Sequence, residues 1–85
     1  MKRFASHYLF VPGRGFLKQH VVEVEGGVVR RFFPLTEEIE SVDWRAGMIE
    51  LFKEEGESSY SACLLYPFDF VTMQPVDGTQ RRPLR

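Results

Sequence analysis

The chain has 85 residues, of which 44% are hydrophobic and 14% aromatic, with a formal net charge of −1. That length holds one core, so residues 1–85 are read as a single domain, and the apolar share excludes disorder over most of it. A near-neutral balance argues against a dedicated nucleic-acid binder, which would present a basic surface.

In chain order, His7-Tyr8-Leu9-Phe10-Val11 reads as a first short strand, ended by the turn-forming Pro12-Gly13-Arg14-Gly15. Phe16-Leu17-Lys18 then leads into a hairpin that is written out in full: His20-Val21-Val22-Glu23-Val24-Glu25, Gly26-Gly27, Val28-Val29-Arg30-Arg31-Phe32-Phe33. Gly26 and Gly27 supply the two positive-φ positions of a tight turn. A two-residue loop there sets Val24 opposite Val29 and Glu23 opposite Arg30. One face would carry Val22, Val24, Val29 and Phe33, and the other the Glu23–Arg30 pair. Pro34 ends the second strand because it cannot donate to a ladder.

Thr36-Glu37-Glu38-Ile39-Glu40-Ser41-Val42 changes character. Thr36 suits a helix N-terminus and the acids suit its positive end, so at most a short helical turn is expected near 36–42. The segment is expected to cross the sheet with Ile39 and Trp44 pointing inward. Gly47-Met48-Ile49-Glu50-Leu51-Phe52 is a further strand, and Lys53–Ser59 is a polar loop. Tyr60–Tyr66 is nearly continuous in apolar residues, which fits a central strand covered on both faces. Pro67 interrupts it, and Phe68-Asp69-Phe70-Val71-Thr72-Met73 is read as another strand. Asp77-Gly78 is a turn signal, followed by a tail, 79–85, with freedom to move. The sum is an all-β, mainly antiparallel sandwich or half-open barrel of about six or seven short strands.

Cys63 is the only cysteine, which rules out an intramolecular disulfide; its apolar setting reads as a core position. The start, Met1–His7, is basic but no apolar h-region follows it, and no apolar run approaches the roughly 20 residues of a membrane span. A cytoplasmic protein without membrane contact is expected.

The order Val22–Val29, then Trp44-Arg45-Ala46-Gly47-Met48-Ile49, resembles the N-terminal β-strands of the amidohydrolase superfamily. Phe68-Asp69-Phe70-Val71-Thr72 resembles the strand that returns to that family's β-sandwich, and Thr79-Gln80-Arg81-Arg82 is similar to its closing hairpin. The resemblance implies the composite β-sandwich of a metal-dependent hydrolase whose barrel has been removed at Lys53–Ser59. It does not imply the activity: the family's metal-holding His-x-His is absent, and Leu51 runs straight into Lys53-Glu54-Glu55.

Residue by residue, little chemistry is offered. His7, His20 and Cys63 lack ligand-like spacing, although His7 and His20 beside Glu23 would make a minimal metal site if the first strand met the hairpin. Ser58, Ser59 and Ser61 have no neighbouring base and read as turn formers. Pro12–Phe16 lacks the spacing of a phosphate loop. Glu37-Glu38 and Glu54-Glu55 read as solvated surface. No catalytic, metal or cofactor residue is therefore assigned.

The function expected is a non-catalytic module that binds itself or another protein, with Phe32, Phe33, Trp44, Phe68 and Phe70 as candidate interface residues. The alternative is a small-ligand or vestigial-enzyme pocket near His7, His20 and Arg31. A second alternative is single-stranded nucleic acid held by Arg30-Arg31 and Arg81-Arg82-Arg85 with Phe32, Phe33 and Tyr66, which the acidic loops argue against.

Overall fold

The computed structural model describes residues 1–37 and 40–85. These contain no helix and nine strands: β1 (Lys2–Ala5), β2 (Tyr8–Val11), β3 (Gly15–Lys18), β4 (His20–Glu25), β5 (Val28–Pro34), β6 (Val42–Trp44), β7 (Met48–Phe52), β8 (Ser61–Asp69) and β9 (Gln74–Leu84). They lie in a four-stranded sheet, ordered β5-β4-β1-β6, and a five-stranded sheet, ordered β3-β2-β7-β8-β9. The all-β sandwich read from the sequence is the fold observed.

The strand number exceeds the expectation because strands bend. Only Ser6-His7 separate β1 from β2, only Gln19 separates β3 from β4, and only Arg45-Ala46-Gly47 separate β6 from β7. Each pair is one path that turns a corner from one sheet into the other, as strands do in orthogonally folded sandwiches. Followed as continuous paths, the nine strands are six. The pairing keeps its neighbours through the corners. β1 and β2 lie antiparallel to β4 and β3 on one side, and parallel to β6 and β7 on the other.

Each corner has a local cause. Gln19 takes a left-handed φ of 49°, and the buried Ser6 hydroxyl donates to Tyr8 O at 2.8 Å. Gly47 has φ 124°, and a Cβ there would run into the carbonyl oxygen of Leu65, so only glycine fits. Across the open side, Val29 N–H donates to Tyr60 O at 2.8 Å, tying the β5 edge to the start of β8.

The core lies between the sheets. Phe4, Val22 and Val24 from one meet Leu9, Val11, Ile49, Leu51, Ala62, Leu64 and Leu84 from the other. β8 holds four consecutive buried residues, Ala62–Leu65, and lies inside its sheet, as its continuous apolar run implies.

The hairpin turn forms as read, with φ of 60° at Gly26 and 81° at Gly27, and Val24 sits opposite Val29. Beyond that pair the expected register is corrected. Glu23 faces Arg31 rather than Arg30, because Arg30 is an extra residue bulged out of β5. One inserted residue exchanges the faces of everything after it. Phe32, not Phe33, therefore joins Val22 and Val24 toward the core, while Arg31 and Phe33 share the outer face with Glu23. Arg30 pairs instead with Glu25 across 3.4 Å of exposed surface.

The connection from β5 to β6 runs from one edge of the four-stranded sheet to the other. Leu35 N–H donates to Gln19 O at 2.8 Å, and Arg3 Nη1 donates to Glu40 O at 3.3 Å. The helical turn expected here spans Glu38 and Ile39, which lie outside the described residues, as does the inward position expected of Ile39. Trp44 is corrected: it is 47% exposed, at the tip of β6.

At the far end, the separate strand expected over Phe68–Met73 is corrected. β8 passes through Pro67 and ends at Asp69, and Phe70–Met73 form the turn into β9. Asp69 makes that turn. Its Oδ1 accepts from the amides of Val71 (2.8 Å) and Thr72 (3.3 Å), and its Oδ2 from the Thr72 hydroxyl (3.0 Å). Asp77-Gly78 is no hairpin turn but the middle of a bulge, where residues 76–79 of β9 face Pro67 alone. Thr79 closes it, its hydroxyl accepting from Val76 N–H at 2.9 Å and donating to Pro67 O at 2.6 Å. Residues 79–84 then continue β9, and Leu84 is buried.

Candidate functional site

Alternation along the five-stranded sheet leaves its outer face almost as apolar as its inner one. On β2, Leu9 and Val11 point into the core, so Tyr8 and Phe10 point out. On β7, Ile49 and Leu51 point in and Met48, Glu50 and Phe52 out; on β8, Ala62 and Leu64 point in and Cys63 and Leu65 out. Met48, Cys63 and Leu65 are buried beneath a surround of half-buried rings, Tyr8, Phe10, Phe52, Phe68 and Phe70.

Those rings touch one another in sequence. Trp44 lies edge-on to His7 (5.3 Å between centroids), His7 lies 5.1 Å from Phe70, and Phe70 stacks on Tyr8 at 5.5 Å. Phe68 flanks Phe70 at 5.4 Å, and one step along β2 Phe10 meets Phe16 at 5.1 Å. Such offset and edge-to-face contacts hold aromatic rings in fixed positions. The Asp69 turn presents Phe68 and Phe70 to this strip. Phe16 is 42% exposed at its margin.

Charge on this face comes from the exposed Lys18, opposite Tyr8 on the edge strand β3, and from one group around Glu50. Arg81 Nη1 pairs with Glu50 Oε1 at 2.9 Å and lies over the Phe52 ring at 5.7 Å. The Cys63 thiol points to the same carboxylate oxygen at 3.8 Å. Burial pushes the Cys63 thiol up to about 11, with Arg81 opposing and Glu50 adding to the rise. The thiol therefore stays protonated at neutral pH, which fits the core position read from the sequence.

The structure divides the expected interface set. Trp44, Phe68 and Phe70 come together, and His7, expected in a pocket, joins them. Phe32 and Phe33 do not: Phe32 packs toward the core with His20 at 6.4 Å, and Phe33 lies on the other face of β5 beneath Arg31 at 4.8 Å.

Of the expected pocket residues, His7 and His20 are brought near one another along the backbone, where Gln19 N–H donates to His7 O at 3.3 Å, and each of the three side chains has its own partner. His7 Nδ1 accepts from Gly47 N–H at 3.5 Å, His20 Nδ1 lies 2.9 Å from Lys18 O, and Arg31 is taken up by Glu23. Of the basic residues considered for nucleic acid, Arg30, Arg31 and Arg81 each pair with a different glutamate. Among the described residues, no three of His, Cys, Asp and Glu gather where they could hold a metal ion.

Tyr8, Phe10, Phe16 and Phe52 were not singled out by sequence, although a signal was present. Tyr8–Val11 and Met48–Phe52 are apolar at nearly every position, so both faces of those strands are apolar, while only one can face the core.

Compared with known proteins, the chain matches no family model, no curated protein and no solved structure. Nothing found links it to the amidohydrolase β-sandwich, whose resemblance rests on strand patterns alone.

Proposed function

We propose that the protein is an interaction module that self-associates, pairing the aromatic face of the five-stranded sheet with the same face of a second copy. The observation that supports this reading is the contiguous ring strip Trp44–His7–Phe70–Tyr8, extended by Phe10 and Phe16 on an outer sheet face. Aromatic residues and methionine are enriched at interface centres, and monomeric domains seldom leave large apolar patches uncovered. Its central charges, Glu50 and Arg81, neutralise one another, so a two-fold axis can set the patch against itself with the exposed Lys18 left on the edge strand β3. An 85-residue domain also has little core to spare, so buried interface adds to its stability.

Sedimentation velocity over a range of concentrations tests this. The native chain is expected to sediment as a dimer and Phe16→Glu as a folded monomer, because Phe16 is exposed and its replacement leaves the core intact. A native chain that stays monomeric at several hundred micromolar would overturn the reading.

A further inference from the structure

A second feature lies on the opposite side of the five-stranded sheet, where β9 and the end of β6 leave the sandwich open. β8 and β9 place Leu64 beside Arg82 and Tyr66 beside Gln80, all pointing inward. At Leu64 the four-stranded sheet still covers this face; beyond it, Tyr66 is 56% exposed. Arg45 and Ala46, from the β6–β7 corner, form the facing wall. Together with Pro67 and Gly78 these residues enclose a cleft of about 500 Å³. It adjoins a second cavity of about 370 Å³ that shares Arg45, Leu64 and Arg82 and adds Lys2 and Asp43.

The charge of this cleft is out of keeping with the chain. The molecule's formal net charge is −1, yet Lys2, Arg45 and Arg82 converge here with Asp43 as the acidic side chain among them. Among the described residues Asp43 is engaged by Arg45 alone: Oδ2 accepts from Nε at 3.0 Å and from Nη2 at 2.8 Å. That grip orients the Arg45 guanidinium, and among the described residues Nη1 has no partner. Arg82 Nη2 donates to the neutral Gln80 Oε1 at 3.3 Å, which positions the side chain without cancelling its charge. Two guanidiniums steered into one cleft, from the β6–β7 corner and from β9, form a clamp suited to phosphate, which accepts several charge-assisted bonds at once. The exposed Tyr66 ring offers a stacking platform for a planar group, and the Gln80 amide a partner for a polar ring edge. The cleft has the volume of a small-ligand site.

We propose that this cleft binds a phosphorylated ligand with a planar ring, of the nucleotide class: phosphate on Arg45 and Arg82, ring on Tyr66. The face is opposite to the aromatic strip, so the site is independent of self-association.

Calorimetric titration at low salt with ADP, inorganic pyrophosphate and adenosine, each without added metal, tests both halves. ADP is expected to bind more tightly than either fragment. Arg82→Gln is expected to weaken ADP and pyrophosphate by roughly tenfold or more, the loss of a charge-assisted hydrogen bond. Tyr66→Ala is expected to weaken ADP by roughly tenfold while leaving pyrophosphate unchanged. Circular dichroism confirms that each variant is folded, since both side chains are exposed. No binding of ADP at millimolar concentration would overturn the proposal. So would ADP binding that is indifferent to Arg82→Gln and Arg45→Gln, or equal affinities for ADP and pyrophosphate.

Discussion

The Glu23 carboxylate sits between two guanidiniums with only 3% of its surface exposed, its Oε1 engaged by Arg31 and its Oε2 by Arg3 at 2.8 Å. Hydrogen bonds from Arg31 first and Arg3 second hold it at about 2, against an ordinary value of 4.5; burial alone would raise it. A carboxyl whose folded value lies below its unfolded one stabilises the fold above the unfolded value. That contribution fades as pH falls through the folded one. The window for Glu23 therefore runs from about 4.5 down to about 2. Asp43 and Asp69 are also held low, by Arg45 and by the Val71 amide respectively, and they contribute to the same acid slope. Thermal melts of the native chain and Glu23→Gln across that window separate the shares. The variant is expected to melt lower at pH 7, because Arg31 and Arg3 lose their shared anion. Its melting temperature should also fall less steeply toward pH 2. Parallel profiles for the two proteins would contradict the role given to Glu23.

At the scale of elements, residue pattern located the strands well and their bends poorly. The β-branched runs on either side of the Gly26-Gly27 pair mark the hairpin, and continuous apolar residues mark β8 as central, because those signals are local. The bulge at Arg30 left no local mark: Val29-Arg30-Arg31-Phe32 reads equally well in either register. The register observed puts Phe32 against the core and Arg31 on the Glu23 oxygen that Arg3 leaves open, and both depend on partners from other strands. The corners were equally silent, with one informative exception. In sequence Gly47 reads as the start of a strand, whereas its φ of 124° and the nearness of the Leu65 carbonyl make it the pivot between β6 and β7. Gly47→Ala is therefore expected to destabilise the fold by about 2 kcal/mol or more, measured by urea unfolding. Gly56→Ala is the control, since Gly56 has φ 85° but open space around it, and the backbone penalty of roughly 1 kcal/mol should be its whole cost. Equal losses in the two variants would mean that contact with Leu65 plays no part.

The whole molecule explains why its surfaces were the least legible part. Trp44, Phe70 and His7 are far apart in sequence and meet only because β6 lies parallel to β1 while the β8–β9 turn folds back toward β2. The cleft depends on the same assembly, since Arg45 and Arg82 face each other only once both sheets are in place. Sequence pattern could name rings and cations, but not which face of which sheet each would occupy. That dependence on distant pairing has a kinetic consequence. The paths through β1–β2 and β6–β7 are held together by parallel pairs such as Arg3 with Val42 and Tyr8 with Met48. Each pair closes a long loop, and the entropy of closure must be met before its contacts form. Refolding from urea, followed by Trp44 fluorescence in stopped flow, is expected to have its main phase in roughly the millisecond-to-second range of non-local β folds. A main phase in microseconds would mean that local hairpins carry most of the stability, and the parallel pairing through the bent strands would then be a late and weak addition.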